Sequence, residues 1–196
     1  MIDYLIHVYK RGTAPFRSLS ALPEAEAIQT MQALYVEGSV FWERFENPFQ
    51  YLQIRRRVEQ WLRADFVAKG GVLRAPYPIY MIYGRSRWIR TMIDAATLAT
   101  TTEIEIPLSI FRECDVSFTY PDSMVSFMLA AEKNPAHYSP EYHGKVFTLS
   151  EILSIVEAQG LPGERWGTEL PDHLANYIEA QVWNHEPLFA YLKEHA

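Results

Sequence analysis

Basic side chains are concentrated between residues 55 and 90, where guanidinium groups could receive phosphates. Nine Lys or Arg residues against Glu59 and Asp65 give this stretch a charge of +7, whereas the whole chain carries −6. Within it, an apolar run ends in the segment 83–86 (Tyr-Gly-Arg-Ser). A glycine there would let the backbone approach a ligand, and Arg85 offers a planar fork to phosphate. Each feature has a simpler alternative, a solvated helix face for the stretch and an ordinary turn for 83–86.

The segment 177–183 (Tyr-Ile-Glu-Ala-Gln-Val-Trp) places a carboxylate among aromatic and β-branched residues. That composition favours a strand. In a strand, Glu179 shares one face with Tyr177, Gln181 and Trp183, because successive side chains alternate between the two faces. A carboxylate in such surroundings lies either at a sheet edge or in a cleft. The same residues also allow an amphipathic helix with an exposed Glu179.

Other arrangements that could do chemistry are weak. His137, Glu141 and His143 place two imidazoles and a carboxylate in one loop, and zinc accepts such ligands. Their spacing across a proline fits no standard zinc motif, so a solvated loop is favoured and no metal is predicted. The sequence has no nucleophile elbow, Walker loop or Gly-x-Gly-x-x-Gly motif. The one cysteine, Cys114, excludes an intrachain disulfide, and the acids beside it indicate a structural thiol.

Length and composition indicate one globular domain over residues 1–196. Hydrophobic residues make up 48% of the chain and charged residues 21%, a balance that excludes wholesale disorder. The net negative charge argues against a general affinity for nucleic acids or anionic membranes. The N-terminus lacks the features of a signal peptide, and no long uninterrupted apolar stretch occurs. We therefore expect a cytoplasmic protein without membrane contact.

Hydrophobic periodicity predicts strands and helices that follow one another without strict alternation. Strands are predicted at 4–9, 79–83, 101–109, 116–120 and 174–183, and helices at 23–37, 51–69, 124–131 and 150–159. The helix over 51–69 is the clearest, because its apolar residues form one stripe with arginines around it. This order is typical of an α+β fold, with a mixed, mostly antiparallel sheet flanked by helices.

Taken in order, five short segments resemble the ADP-ribosyltransferase superfamily, and most closely the DarT-type toxins that ADP-ribosylate thymidine in single-stranded DNA. The first is the first strand (5–9), which contains a histidine, and the second carries an Asn-Pro…Arg pattern (47–56). The third is an apolar strand that runs into Gly-Arg-Ser at 84–86, and the fourth is similar to a Phe-Thr-Asp turn (116–123). The last is the strand with Glu179, followed by Glu-Pro-Leu.

The resemblance implies an ADP-ribosyltransferase-like sheet, NAD as a substrate, and a nucleic-acid or protein acceptor. Cleavage of the nicotinamide–ribose bond develops an oxocarbenium-like cation, which the carboxylate of Glu179 would stabilise. Arg55 or Arg56 would bind the pyrophosphate or orient the acceptor. The side chains expected to bind the ribose, the nicotinamide and the phosphates are His7, Tyr80, Tyr83 and Arg85.

A non-catalytic binding module is the alternative hypothesis. Residues 40–51 are rich in aromatic side chains, which are enriched at interfaces when exposed. Core packing would explain the same residues, and an ADP-ribosyltransferase fold without activity is a third hypothesis. The enzyme needs Glu179, one of Arg55 and Arg56, and His7 around one concave pocket. The binding module needs a large exposed apolar patch instead.

Overall fold

An antiparallel sheet runs through the centre of the molecule. The computed structural model describes residues 2–39, 42–92, 95–164 and 170–195. Within these residues the strands are β1 (Tyr4–Lys10), β2 (Ile79–Tyr83), β3 (Thr101–Pro107), β4 (Val116–Thr119) and β5 (Glu179–Val182). The α-helices are α1 (Glu24–Leu34), α2 (Pro48–Ala68), α3 (Arg87–Met92), α4 (Ala95–Thr100), α5 (Ser123–Glu132), α6 (Leu149–Gln159) and α7 (Glu186–His195). Apolar, aromatic and β-branched side chains fill the central strand β2, because they fit a pleated and buried surface.

Local capping signals set where three of the helices begin. The side chain of Asn47 accepts a hydrogen bond from the Gln50 N–H and is followed by proline, so α2 begins at residue 48. Asp122 caps α5 in the same way. Thr148 and Glu151 form a reciprocal capping box at the start of α6. These caps satisfy backbone donors that a helix leaves without partners in its first turn.

The strand order in the sheet is β3-β1-β2-β5-β4, and each neighbouring pair is antiparallel. Strand β1 pairs with β3 along its whole length. In its pairing with β2, Leu5 lies opposite Tyr83 and Ile6 lies opposite Ile82. Strand β2 continues to pair with β5 beyond this point, as far as Ile79 opposite Val182. Strand β1 therefore separates from β2 after Ile6, and the separation creates an opening beside the centre of the sheet.

The two faces of the sheet differ in polarity at β4 and β5. On one face, apolar side chains pack into a core covered by α6 and α7; from these two strands they are Val116, Phe118, Ala180 and Val182. The opposite face, toward α2 and α5, carries Ser117, Thr119, Glu179 and Gln181. All four polar residues are buried. Because buried polar groups are costly without partners, this face depends on internal hydrogen bonds.

The structure confirms the α+β class and shows the sheet to be antiparallel throughout the described pairs. The strand at 79–83 was predicted with its observed bounds, and Glu179 lies on a strand. That strand covers only 179–182, because the preceding segment 174–178 is irregular. Helices α3, α4 and α7 had no counterpart in the prediction. None of the helices in the described part of the chain is long and apolar enough to cross a membrane.

Candidate active site

A cleft of about 420 Å³ lies where β1 separates from β2. Its walls come from β1, the segment 13–19, α1, the 3₁₀ turn Glu43–Phe45, α2, β2, the start of α5, and β5 with the residues just before it. The cleft brings together four of the side chains nominated from the sequence, which are His7, Arg55, Tyr80 and Glu179. These residues come from three strands and one helix, so the tertiary fold is what assembles them.

The cleft concentrates positive charge in a chain that is acidic overall. Among the described residues, its basic lining side chains are Lys10, Arg17, Arg44 and Arg55, and its acidic ones are Asp122 and Glu179. Its aromatic lining side chains are Tyr9, Trp42, Phe45, Tyr51, Tyr80 and Tyr177. Such a lining favours a ligand that combines planar rings with anionic groups.

Glu179 uses one carboxylate oxygen for the fold and leaves the other open. Oε2 accepts hydrogen bonds from the backbone N–H of Ser123 and from Nε2 of Gln181, both with a donor–acceptor distance of 3.1 Å. The Ser123 side chain also lies close enough to the carboxyl group to favour its ionised form, and within the described residues no N–H group donates to Oε1. The side chain lines the cleft although the residue is only 6% exposed. Oε1 is therefore the oxygen available to a ligand.

Asp122 adds a second buried carboxylate to the same wall. Its Oδ1 accepts hydrogen bonds from the backbone N–H groups of Met124 and Val125, at 3.0 and 3.2 Å. Its Oδ2 accepts a hydrogen bond from the hydroxyl of Tyr177 at 3.0 Å. Asp122 thus caps α5 and holds the ring of Tyr177 at the cleft.

The two carboxyl groups interact electrostatically. Burial, reinforced by the nearby charge of Asp122, raises the pKa of Glu179 from 4.5 to about 8. The hydrogen bonds from Ser123 and Gln181 favour the ionised form and limit this rise. Glu179 is therefore mostly protonated at neutral pH in the ligand-free protein. A cation bound beside it would favour loss of that proton.

Arg55 extends from α2 into a cage of polar and aromatic groups. Its Cζ lies 4.2 Å from the centroid of the Tyr80 ring, a cation–π contact. Nε donates to Ser20 Oγ at 3.0 Å and lies 3.3 Å from Glu59 Oε1, and Nη1 donates to the Tyr51 hydroxyl at 3.3 Å. Nη2 has no hydrogen-bond partner within the described chain. The fork is held in place with one nitrogen left for a ligand.

Glu59 is the buried counter-ion of Arg55. Its Oε1 accepts hydrogen bonds from Ser20 Oγ at 2.7 Å and from the Tyr80 hydroxyl at 3.0 Å, while Oε2 is buried without a partner in the described residues. Burial raises the pKa of the Tyr80 phenol well above its usual value; Arg55 opposes this rise and Glu59 adds to it. Tyr80 therefore remains a neutral donor to Glu59. Arg55 is already neutralised before any ligand binds.

His7 ties the two sides of the opening together. Its Nε2 accepts a hydrogen bond from the Phe16 N–H at 3.0 Å, which leaves Nδ1 to donate to the Tyr80 carbonyl oxygen at 3.2 Å. Burial, partly offset by the bond to Tyr80, lowers the pKa of His7 to about 4. The imidazole is neutral and both ring nitrogens are engaged. His7 thus forms part of the wall of the cleft, whereas the sequence analysis expected it to bind the ribose of NAD.

The other nominated residues lie outside the cleft lining. Arg56 projects from α2 toward Glu24 on α1, with a nitrogen–oxygen distance of 2.6 Å. Tyr83 is buried on the apolar face, and its hydroxyl donates to the Ile2 carbonyl oxygen at 2.7 Å. Arg85 is exposed and pairs with carboxylates of β3. Because side chains alternate along β2, Tyr80 and Tyr83 lie on opposite faces, which explains why only one of them reaches the cleft.

The basic stretch 55–90 is divided among several ion pairs. Lys69 pairs with Glu151 of α6 at 2.6 Å, in addition to the pairs made by Arg55, Arg56 and Arg85. The described residues contain no group of three or more His, Cys, Asp or Glu that could hold a metal ion. In the loop singled out for zinc, Nδ1 of His143 accepts a hydrogen bond from the Ser139 N–H.

Two carboxylates of this site were not recognised as site residues from the sequence. Glu59 carried a signal, since Arg55 and Glu59 are four residues apart on a helix and such pairs face each other. From the sequence, Asp122 could be recognised only as a residue that precedes an apolar helix. Its closeness to Glu179 depends on the register that pairs β4 with β5, and local sequence does not encode that register.

The aromatic segment considered for partner binding is only partly described. Val40 and Phe41 lie outside the described residues. Phe45 and Tyr51 are buried and pack against α1, whereas Phe49 is 54% exposed. The binding module stays a prediction, and these buried rings serve as core and as cleft lining.

The arrangement can bind a ligand with rings and phosphates and can present a carboxyl oxygen to it. No protein-family model matches the chain, and neither a curated protein nor a solved structure matches it. The geometry of the cleft is therefore what bears on function. A carboxylate held at a confined site can stabilise a developing cation or exchange a proton with the ligand.

Proposed function

We propose that this chain is an NAD-dependent ADP-ribosyltransferase-like enzyme whose reaction takes place in the cleft between β1, β2 and α2. The observation that carries the proposal is that Glu179, Arg55 and Tyr80, which are far apart in sequence, line one aromatic cleft with excess positive charge. A concave site with convergent polar groups and a carboxyl of perturbed pKa is the usual signature of an active site.

NAD suits this lining because it joins two planar bases through a diphosphate. The phosphates would lie against the basic wall formed by Lys10, Arg17 and Arg44, of which Arg17 also pairs with Glu26. The cationic nicotinamide would lie near the carboxyl pair, stacked on Tyr80 or Tyr177.

The reaction would break the bond between ribose C1′ and the nicotinamide nitrogen. The bonding electron pair leaves with nicotinamide, which becomes neutral, and positive charge develops on the ribose. Oε1 of ionised Glu179 would stabilise that charge and accept a hydrogen bond from a ribose hydroxyl. An acceptor nucleophile on a nucleic acid or a protein would then form the new bond to C1′ and lose its proton.

Arg55 would contribute a single directed donor. Its Nε and Nη1 are held by protein groups, so Nη2 is the nitrogen left to bind a phosphate oxygen. Because Glu59 neutralises Arg55 in the ligand-free protein, this contact would add direction more than net charge.

Calorimetric titration with NAD tests the proposal. We expect micromolar to low-millimolar binding to the unmodified protein, weakened about tenfold, or roughly 1.4 kcal/mol, in Arg55→Lys. The lysine keeps a cation beside Glu59 and so protects the fold, but it lacks the fork that reaches the ligand. Arg56→Lys is the matched control, because Arg56 is the adjacent arginine and pairs with Glu24 outside the cleft.

Nicotinamide release, measured by chromatography, tests the chemistry separately from binding. We expect release by the unmodified protein and a loss of at least a hundredfold in Glu179→Gln, since removal of one electrostatic group at a reacting centre typically costs that much. A folded protein that shows neither heat on titration nor nicotinamide release would overturn the proposal. Equal effects of Arg55→Lys and Arg56→Lys would remove the cleft as the binding site.

A further inference from the structure

We propose that Gln181 is a positioning residue that fixes the carboxyl group of Glu179, through a hydrogen-bond chain that begins at the indole of Trp183. This role of Gln181 rests on the proposed function in one respect, namely that Glu179 faces a substrate. The chain itself is a property of the fold, and it can be measured without NAD.

The chain runs along the polar face of β5 and its neighbour β4. Trp183 Nε1 donates to Ser117 Oγ at 2.9 Å, Ser117 Oγ donates to Gln181 Oε1 at 2.9 Å, and Gln181 Nε2 donates to Glu179 Oε2 at 3.1 Å. Ser117 and Gln181 are directly opposed in the β4–β5 ladder. Trp183, Ser117 and Gln181 are fully buried, so water does not compete for these bonds.

The chain begins at a group that can only donate. An indole N–H can only donate, so Ser117 Oγ must accept from Trp183. Ser117 Oγ keeps one proton to donate, and Gln181 Oε1 at 2.9 Å accepts it, which turns the amide oxygen toward Ser117. Its nitrogen consequently faces Glu179, with Thr119 Oγ1 accepting its other proton at 3.0 Å. The opposite amide orientation would bring an oxygen against the carboxyl of Glu179.

The consequence for Glu179 is an asymmetric carboxyl group. Oε2 receives two N–H donors, from Gln181 and from the Ser123 backbone, which occupy its lone pairs. When Glu179 is protonated, its proton therefore sits on Oε1, the oxygen available in the cleft. When Glu179 is ionised, Oε1 is the acceptor that a ligand meets. Gln181 acts through Glu179 and does not line the cleft itself.

Other groups near Glu179 do not replace this role. Asp122 on α5 acts on it as a negative charge, while Tyr80 on β2 and Tyr177 before β5 are neutral phenols with raised pKa values. Arg55 is close enough to act on Tyr80, and it is engaged with Glu59. The donors to Glu179 are the backbone and side chain of Ser123 and the amide of Gln181, and Gln181 is the donor that the chain from Trp183 positions.

NMR titration of the Glu179 carboxyl carbon, in protein labelled with ¹³C at glutamate, tests the proposal without any ligand. Gln181→Met keeps the side-chain length and removes the amide, so the ionised form loses one donor. We expect the titration midpoint of Glu179 to rise by about one pH unit. Ser117→Ala should shift it in the same direction by less, because the amide is then free to turn. Ser126→Ala is the matched control, a buried hydroxyl on α5 that accepts from the Gly144 N–H away from this chain.

Nicotinamide release then connects the chain to the reaction. In Gln181→Met we expect kcat/KM for NAD to fall about tenfold at pH 7, because a midpoint one unit higher leaves about ten times fewer molecules with ionised Glu179. An unmoved Glu179 midpoint in folded Gln181→Met overturns the proposal. If that variant does not fold, an unmoved midpoint in Ser117→Ala overturns it equally. A shifted midpoint in a protein that releases no nicotinamide even when unmodified would support the chain and refute the proposed function.

Discussion

Replacement of Glu179 by glutamine should make the protein more stable, and increasingly so as the pH rises. Glutamine has the shape of the protonated acid, so its Oε1 can accept the bonds from Ser123 and Gln181 that Glu179 Oε2 accepts now. It carries no charge that burial or Asp122 could disfavour. The variant therefore removes an unfavourable ionisation and keeps the hydrogen bonds.

The size of the effect follows from the raised pKa of Glu179. In the unfolded chain the group ionises near 4.5, and in the folded protein near 8. Between these values the folded state holds the proton more tightly, so stability is full below pH 4.5 and is lost as the pH rises through 8. At about 1.4 kcal/mol per pH unit, the full interval corresponds to an upper limit of about 5 kcal/mol. Relaxation of the ionised pair and entry of water into the open cleft reduce this, so we expect about 2–4 kcal/mol.

Urea unfolding followed by circular dichroism at pH 5 and pH 9 provides the measurement. Near pH 5 the two proteins should differ by less than about 1 kcal/mol, and at pH 9 the variant should be the more stable by the amount above. Titrating groups that do not interact with Glu179 contribute equally to both proteins and cancel in the difference, whereas the interaction of Glu179 with Asp122 is part of the effect that is measured. A stability difference that is the same at both pH values would refute a raised pKa at Glu179 and the electrostatic reasoning built on it.

Two further predictions concern the same cleft. The affinity for NAD should be about tenfold lower at pH 7 than at pH 9, because about one molecule in eleven has Glu179 ionised at pH 7 when its pKa is about 8; calorimetry across this range tests it, and the dependence should vanish in Glu179→Gln. His7→Leu should lower the free energy of unfolding by about 2–4 kcal/mol, since the Phe16 N–H and the Tyr80 carbonyl both lose a buried partner; a loss below about 0.5 kcal/mol in urea unfolding would mean that His7 does not tie the opening together.

Much of the sheet could be predicted because its strands carry local signals. The run of Ile79–Tyr83 is apolar and bounded by proline and glycine, and its bounds were predicted correctly. Helix α7 was missed although Leu188, Tyr191 and Leu192 pack into the core at helical spacing, because the segment is short and was considered only as the end of a strand motif. Periodicity identifies elements well but says little about how they meet.

The candidate site shows this limit clearly. Arg55 and Glu179 were expected together around one pocket, but the carboxylates that interact with them, Glu59 and Asp122, were not recognised as site residues. Glu59 lies one helical turn beyond Arg55 and could have been paired with it from spacing alone. Asp122 reaches Glu179 only because Thr119 pairs with Glu179 in the β4–β5 register. His7 was nominated as a ligand-binding residue, but hydrogen bonds to loop and strand backbone occupy both of its nitrogens.

The polar face of β4 and β5 indicates that this part of the fold serves the cleft more than it serves stability. The same two strands place four apolar residues on their other face, so apolar side chains are compatible with this backbone. Four buried polar residues in their place cost desolvation energy, and hydrogen bonds recover that cost only when every group has a partner. Here every other side-chain polar atom of these four residues takes part in a hydrogen bond, whereas Oε1 of Glu179, in the cleft lining, receives no N–H donor within the described residues. A network that is satisfied everywhere but at the oxygen facing a ligand site has the form expected of a site organised for binding or catalysis, where local stability is given up for function.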